Sequence, residues 1–114
     1  MITTEQIRAV AGPLPRSSEH LIRDRVKFRV GQYVYLALSR DETTMGFAFP
    51  KEERDALVAA SPAKFFLPGE SDLRFHWVCA WLAALDEDEM RDLVIDAWRM
   101  VVPKKVAAAY LASR

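Results

Sequence analysis

The chain has 114 residues, of which 51% are hydrophobic and 28% charged, and its 16 Lys and Arg are balanced by 16 Asp and Glu. We expect one globular domain over residues 1–114, because a chain of this length buries roughly two-thirds of the surface that its unfolded form exposes. Zero net charge argues against a protein that coats nucleic acid or anionic membranes through its overall charge. The single cysteine, Cys79, excludes an internal disulfide and favours a reducing compartment.

No stretch of the sequence is expected to enter a membrane. The longest nearly uncharged run, Phe75 to Leu85, is far shorter than the about 20 apolar residues that span a bilayer. The first residues also lack the basic and apolar regions of a signal peptide. We therefore expect a cytoplasmic protein with no membrane partner.

The N-terminal half is predicted to fold as a helix followed by a three-stranded antiparallel meander. Thr3 and Gln6 have the spacing of a capping box, and a Gly-Pro pair stops the helix that they start. Alternating apolar and cationic residues predict a first strand over about residues 21–30, or from Arg25 onward because Asp24 interrupts the apolar face. The second and third predicted strands are Tyr33 to Leu38 and Met45 to Phe49.

A helix, two strands and a long helix are predicted for the second half. Pro50 starts the first of these helices, and Ser61-Pro62 ends it. Strands follow over residues 63–67 and 73–83, and the second is apolar on both faces, as in a central strand covered on both sides. Asp86 caps the long helix, whose apolar stripe follows the helical period.

The order of the predicted elements is α-β-β-β-α-β-β-α, with a further helical turn or two after Pro103. This order is typical of an α+β domain. We expect a largely antiparallel sheet of about five strands with the helices packed on it.

A stripe of cations follows the first predicted strand, and its members are Arg23, Arg25, Lys27 and Arg29. Because side chains alternate along a strand, a spacing of two places all four on one face within about 20 Å, a length that can follow several phosphates. The other interpretation is a solvated outer face, where Lys and Arg discourage edge pairing. Both interpretations remain open.

An aromatic row occupies one face of the last predicted strand and consists of Phe75, Trp77, Cys79 and Trp81. An exposed row of aromatic rings can stack on bases. We expect a core row instead, because the long helix with Trp98 needs an apolar surface to pack against and buried aromatics remove a large area from water.

Catalytic and metal-binding patterns are weak. Asp88, Asp92 and Asp96 line one face of the long helix, but successive turns lie about 6 Å apart, too far for one compact metal shell. Such acids are also stabilised by the helix dipole without a ligand. His76 and Cys79 are three residues apart on a strand and point to opposite faces. We expect no catalytic residues, no metal site and no cofactor.

Several blocks of the chain resemble the MmcQ/YjbR family, in register from about Leu14 to Lys105. These blocks are Leu14-Pro15, the hairpin Phe28–Tyr35, the strand-to-helix passage Phe47–Glu53, His76-Trp77 and Leu93–Val101. The resemblance implies a small cytoplasmic bacterial domain with a CyaY/YjbR-like fold, commonly described as DNA-binding and carrying no catalytic residue set. The chain departs from the family at Tyr33 and Ala48, where members often carry lysines, so the candidate cationic surface of this chain is instead the stripe on the first strand.

The leading hypothesis is a non-enzymatic DNA-binding protein that contacts phosphates weakly and with strong salt dependence. Its candidate residues are Arg23, Arg25, Lys27, Arg29, Lys104 and Lys105. Net charge zero does not exclude it, because residues 1–40 hold seven cations and three acids, and residues 99–114 hold four cations and no acid.

Two alternatives belong to other classes of protein. The first is a protein-interaction or small-ligand module with a pocket near Tyr33, Tyr35, His76 and Trp77. The second, suggested by the frataxin-like architecture, is metal handling by the acidic helix. The sequence identifies no protein partner.

Overall fold

Six antiparallel strands form one sheet in the computed structural model, which describes all 114 residues. The helices are α1 (Thr4–Ala11), α2 (Lys51–Ala60), α3 (Glu87–Arg99) and α4 (Lys104–Ala112). The strands are β1 (Ser17–Ile22), β2 (Arg25–Val30), β3 (Tyr33–Leu38), β4 (Thr44–Ala48), β5 (Phe65–Phe66) and β6 (Trp77–Trp81), in the spatial order β1-β2-β3-β4-β6-β5. The predicted α+β class with an antiparallel sheet is confirmed, with one strand more than expected.

The two faces of the sheet differ in what covers them. One face presents large apolar side chains such as Phe28, Leu36 and Phe47 to a core of 24 buried residues, to which α1, α3 and α4 also contribute. The opposite face presents Lys27, Ala37, Gly46, Cys79 and Phe66, which pair across the sheet in register and lie outside that core. We call this second surface the open face.

Strand β1 was not predicted, because its polar sequence Ser17-Ser18-Glu19-His20 lacks an apolar alternation. It is an edge strand, and the salt bridge between Glu19 and Arg8 (2.7 Å from Oε1 to Nε) ties it to α1. The turn to β2 consists of Arg23 and Asp24, with φ angles of 53° and 63°. Left-handed values at both positions are those of a two-residue type I′ hairpin turn. The prediction that Arg23 lies on the strand is therefore wrong.

A bulge in β3 decides where Tyr35 points. Phe28 pairs with Leu36, but the next residue of β2, Arg29, pairs with Val34. Tyr35 is the extra residue, and it is fully buried, with its hydroxyl 2.6 Å from that of Ser17. Burial raises the pKa of Tyr35 to about 12. The prediction that Tyr35 lines a surface pocket is wrong, because a bulge changes the alternation of side chains.

The helix ends follow the sequence signals. Thr3 and Gln6 form the predicted capping box at α1, and Asp86 accepts a hydrogen bond from the backbone N–H of Glu89 (2.8 Å) at α3. Trp98 of α3 is fully buried and donates from Nε1 to the carbonyl of Pro15 (2.9 Å), which anchors the loop after α1. None of the helices has both the length and the apolar composition needed to cross a membrane.

Candidate functional site

The open face has a cationic side and an aromatic side. The cross-strand register places Lys27 of β2 in one row with Ala37, Gly46 and Cys79 of β3, β4 and β6. Three steps between neighbouring strands separate Lys27 from Cys79 by about 14 Å. Small residues occupy the middle of the row, so side chains from both sides can close over it.

Arg25, Lys27 and Arg29 alternate along β2 and form the cationic side. None of them has a carboxylate within salt-bridge distance, since the six salt bridges of the structure use other cations. Arg25 donates from Nε to the carbonyl of Leu38 (2.9 Å), and this hydrogen bond holds the Nε end of its guanidinium next to β3. The Nε of Arg29 is buried without a hydrogen-bond partner. The three positive charges are therefore uncompensated by direct pairing.

The other candidate cations lie elsewhere. Arg23 lies in the β1–β2 turn, where its carbonyl accepts a hydrogen bond from Nε of Arg40 (3.2 Å). Arg40 was not among the predicted residues, because no periodicity marks a cation in a polar turn, yet it shares a recess with Arg25. Lys104 lines a separate groove between α2, α3 and α4, and Lys105 lines neither groove.

The aromatic row was expected in the core, and that prediction is wrong for Phe75 and Trp81, which are exposed, whereas Trp77 packs against the buried core. Val78 and Ala80 of β6 are the buried residues, whereas Trp77 and Cys79 are half-buried and Trp81 is 46% exposed. Periodicity identified the two faces of β6 correctly but could not tell which of two apolar faces the helices cover.

Trp77 lies directly on Gly46 of β4. A Cβ atom built on Gly46 would come within 2.8 Å of Cε2 of the Trp77 indole, closer than real Cβ contacts allow. Gly46 therefore leaves the space that the Trp77 indole occupies next to β4. Farther along β6, Trp81 packs on Phe66, with ring centroids 5.0 Å apart.

A groove of about 520 Å³ joins the cationic side to Trp77. Its lining includes Arg25, Lys27, Tyr33, Val34, Ala37, Ala48, Asp72, Phe75, His76 and Trp77. Three residues of the predicted pocket, Tyr33, His76 and Trp77, are thus brought together, and Tyr35 is not. Tyr33 and Ala48, the positions where the resembling family often has lysine, lie in the same groove as Arg25 and Lys27.

Residues 70–76, which we call the strap, form one wall of this groove and lead into β6. Arg54 of α2, only 9% exposed, donates to the carbonyls of Leu73, Phe75 (2.8 Å) and Trp77 (3.2 Å). His76 adds a second link, because its Nδ1 accepts from the backbone N–H of Lys51 at the start of α2 (3.0 Å). The strap and Trp77 are therefore held by α2.

Cys79 lies in the row between the two sides. Burial raises the pKa of its thiol to about 11, although the positive charge of Arg25 lowers it in part. A thiol with this pKa is protonated at neutral pH, and the protonated thiol is a poor nucleophile.

The acidic helix shows no gathered metal ligands. Asp88, Asp92 and Asp96 are exposed, and two of them form salt bridges along α3, with Arg91 (3.2 Å) and Arg99 (3.6 Å). No three His, Cys, Asp or Glu side chains in the structure approach one another closely enough to hold a metal ion together.

Comparison with known proteins identifies the family. The family model YjbR matches residues 13–100. Among solved structures, the chain is similar to the crystal structure of Deinococcus radiodurans protein DR2400, with family-model domain DUF419. The TM-score is 0.78 at 21% sequence identity, over 92% of this chain and 82% of that one. This likeness supports the fold. The search of curated proteins found no match to the sequence. The chain belongs to the YjbR family.

Proposed function

We propose that this YjbR domain is a non-enzymatic, cytoplasmic DNA-binding protein that holds phosphates on its open face. The observation that carries the proposal is the set of unpaired cations, Arg25, Lys27 and Arg29, on a sheet face outside the core. Arginine offers two parallel N–H donors to a phosphate, and lysine offers a compact positive charge.

The spacing of these cations suits a phosphate backbone. Alternate residues of a strand lie about 6.7 Å apart, so Arg25 and Arg29 are separated by about 13 Å. Successive phosphates of one DNA strand rise by about 3.4 Å, so several of them fit along β2. Because the whole chain carries no net charge and Asp72 also lines the groove, we expect weak binding that depends strongly on salt.

A charge-matched pair of variants tests the proposal. Arg25→Ser with Lys27→Ser removes two cations from the open face, and Arg16→Ser with Arg114→Ser removes two exposed cations that have no salt bridge. Both variants lower the net charge by two, so any difference between them reports position. Binding of labelled oligonucleotides is measured by fluorescence anisotropy between about 50 and 200 mM salt.

We expect the open-face variant to bind more weakly and the control variant to bind like the unmodified protein. The slope of log affinity against log salt falls by about 0.7 for each lost contact with single-stranded DNA and by about 0.9 with duplex. The proposal is wrong if the unmodified protein binds no DNA at low salt, or if both variants lose the same affinity.

The groove volume favours a small-ligand module as a second candidate. Its about 520 Å³ falls within the size range of ligand pockets, and Tyr33, His76 and Trp77 supply polar groups beside an aromatic wall. Thermal stabilisation by a member of a metabolite panel, with no response to DNA, would favour this candidate over DNA binding.

A further inference from the structure

The groove lined by Arg25 and Lys27 is also lined by the aromatic ring of Trp77. Phosphate binding alone gives this ring no role. Trp77 is half-buried, lies on Gly46 and lines the groove opposite the cations. We infer that the open face binds single-stranded DNA, with phosphates on β2 and an unpaired base stacked on Trp77. The inference rests on the proposed DNA binding and names the form of DNA.

The shape of the open face disfavours a duplex. The major groove of B-DNA, about 12 Å wide, admits a helix or a two-stranded ribbon. Six strands span about 24 Å, so the open face cannot enter that groove. Bases of a single strand, in contrast, can turn toward the protein and stack on an aromatic ring, as they do on other sheet surfaces.

The groove between the cations and Trp77 has room for a nucleotide. Its aliphatic lining consists of Val34, Ala37 and Ala48 on the sheet and of Met100 and Val101 just after α3. The strand order separates β2 from β6 by three steps, or about 14 Å, and long cationic side chains shorten that gap. A phosphate at Lys27 and its base at Trp77 therefore occupy opposite walls of one groove.

The aliphatic lining also favours DNA over RNA. The side chains of Val34 and Ala37 offer a 2′-hydroxyl no hydrogen-bond partner, so a ribose that rests on them loses hydration that only the polar part of the lining, Gln32, Tyr33, Asp72 and His76, could replace. A deoxyribose loses nothing there, and the methyl group of thymine gains apolar contact. We therefore name single-stranded DNA as the ligand and oligothymidylate as its probe.

Trp81 provides a matched control for Trp77. Both are tryptophans on the same face of β6, but Trp81 packs on Phe66 outside the groove that holds the cations. Trp77→Leu and Trp81→Leu therefore remove the same ring, one inside the groove and one outside it. Far-ultraviolet circular dichroism and thermal melting show whether each variant folds.

Affinities for oligothymidylate, oligouridylate and a duplex of equal length are measured on the three proteins. The unmodified protein is expected to bind oligothymidylate most tightly. Trp77→Leu should lose at least about fivefold in that affinity, and Trp81→Leu should lose less than about twofold. Affinity for duplex should not change in either variant.

Fluorescence gives a readout that does not depend on the Trp77 variant. In Trp81→Phe, the remaining tryptophans are Trp77 and the fully buried Trp98. Stacking then predicts quenching by oligothymidylate and none by duplex.

Equal affinity for duplex and single strand, an absence of quenching, or equal losses in the two leucine variants would overturn the inference while leaving DNA binding intact. Tighter binding of oligouridylate would overturn the choice of DNA. If no nucleic acid binds, the proposed function fails as well.

Discussion

Replacing Arg54 by Met tests whether α2 holds the strap and Trp77 in place. Arg54 is the one charged residue that is buried, and its partners are three backbone carbonyls, those of Leu73, Phe75 and Trp77. Methionine keeps much of the side-chain length and removes every donor. The three carbonyls then lose the partner that they share in this part-buried contact.

The expected loss of stability follows from the number of hydrogen bonds. At about 1 to 1.5 kcal/mol for each bond, three bonds give about 3 to 4.5 kcal/mol. A domain of this size has a free energy of unfolding of about 5 to 15 kcal/mol. Arg54→Met should therefore still fold, but with a much smaller free energy of unfolding. With a denaturant slope of about 1.5 kcal/mol per molar urea, the midpoint of urea unfolding falls by about 2 to 3 M.

Urea unfolding followed by circular dichroism measures this loss. Arg91→Met on α3 is the control, because Arg91 pairs only with the exposed Asp88, and we expect it to change stability by less than about 0.5 kcal/mol. A loss below about 1 kcal/mol in Arg54→Met, or equal losses in the two variants, would refute the role given to Arg54.

Three further predictions concern the groove, the core and the C-terminal lysines. Gly46→Ala should weaken binding of oligothymidylate, because the new Cβ meets the indole of Trp77; unchanged affinity in anisotropy would contradict this. Stability should fall as pH rises between about 10 and 12, because the unfolded chain releases the Tyr35 proton near its ordinary pKa of 10.0 while the folded chain holds it to about 12. Urea unfolding across this pH range should show a smaller decline in the free energy of unfolding for Tyr35→Phe than for the unmodified protein. An equal decline would contradict the raised pKa of Tyr35. Lys104→Ser with Lys105→Ser should leave the salt slope of DNA binding unchanged, since neither lysine lines the groove with the β2 cations; a drop as large as that of the open-face variant would show that both surfaces bind DNA.

Local signals in the sequence predicted much of the fold. The caps at Thr3 and Asp86 marked the starts of α1 and α3, because a capping side chain acts within a few residues of its helix. Alternation identified β2, β4 and the two faces of β6, and the β-branched and aromatic composition of Tyr33 to Leu38 identified β3. Polar β1 escaped detection, since an edge strand needs no apolar face to pair with its neighbour.

The candidate site was harder to predict, because it depends on contacts between distant residues. Periodicity placed Arg25, Lys27 and Arg29 on one face of β2, and the structure agrees. Nothing local could show that Tyr35 turns inward at a bulge. Nor could it show that Trp77 lies on Gly46, because the position of this half-buried ring depends on which face of the sheet the helices cover.

The most direct test of DNA binding on the open face is a heteronuclear NMR titration of the protein with oligothymidylate. The tryptophan side chains give three indole N–H signals, and Trp98 donates its indole N–H to the Pro15 carbonyl inside the core. Binding on the open face predicts shifts for the Trp77 indole and for the amides of Lys27 and Ala37, with the Trp98 indole unmoved. Shifts confined to α3 and α4, or a spectrum that oligothymidylate leaves unchanged, would contradict it.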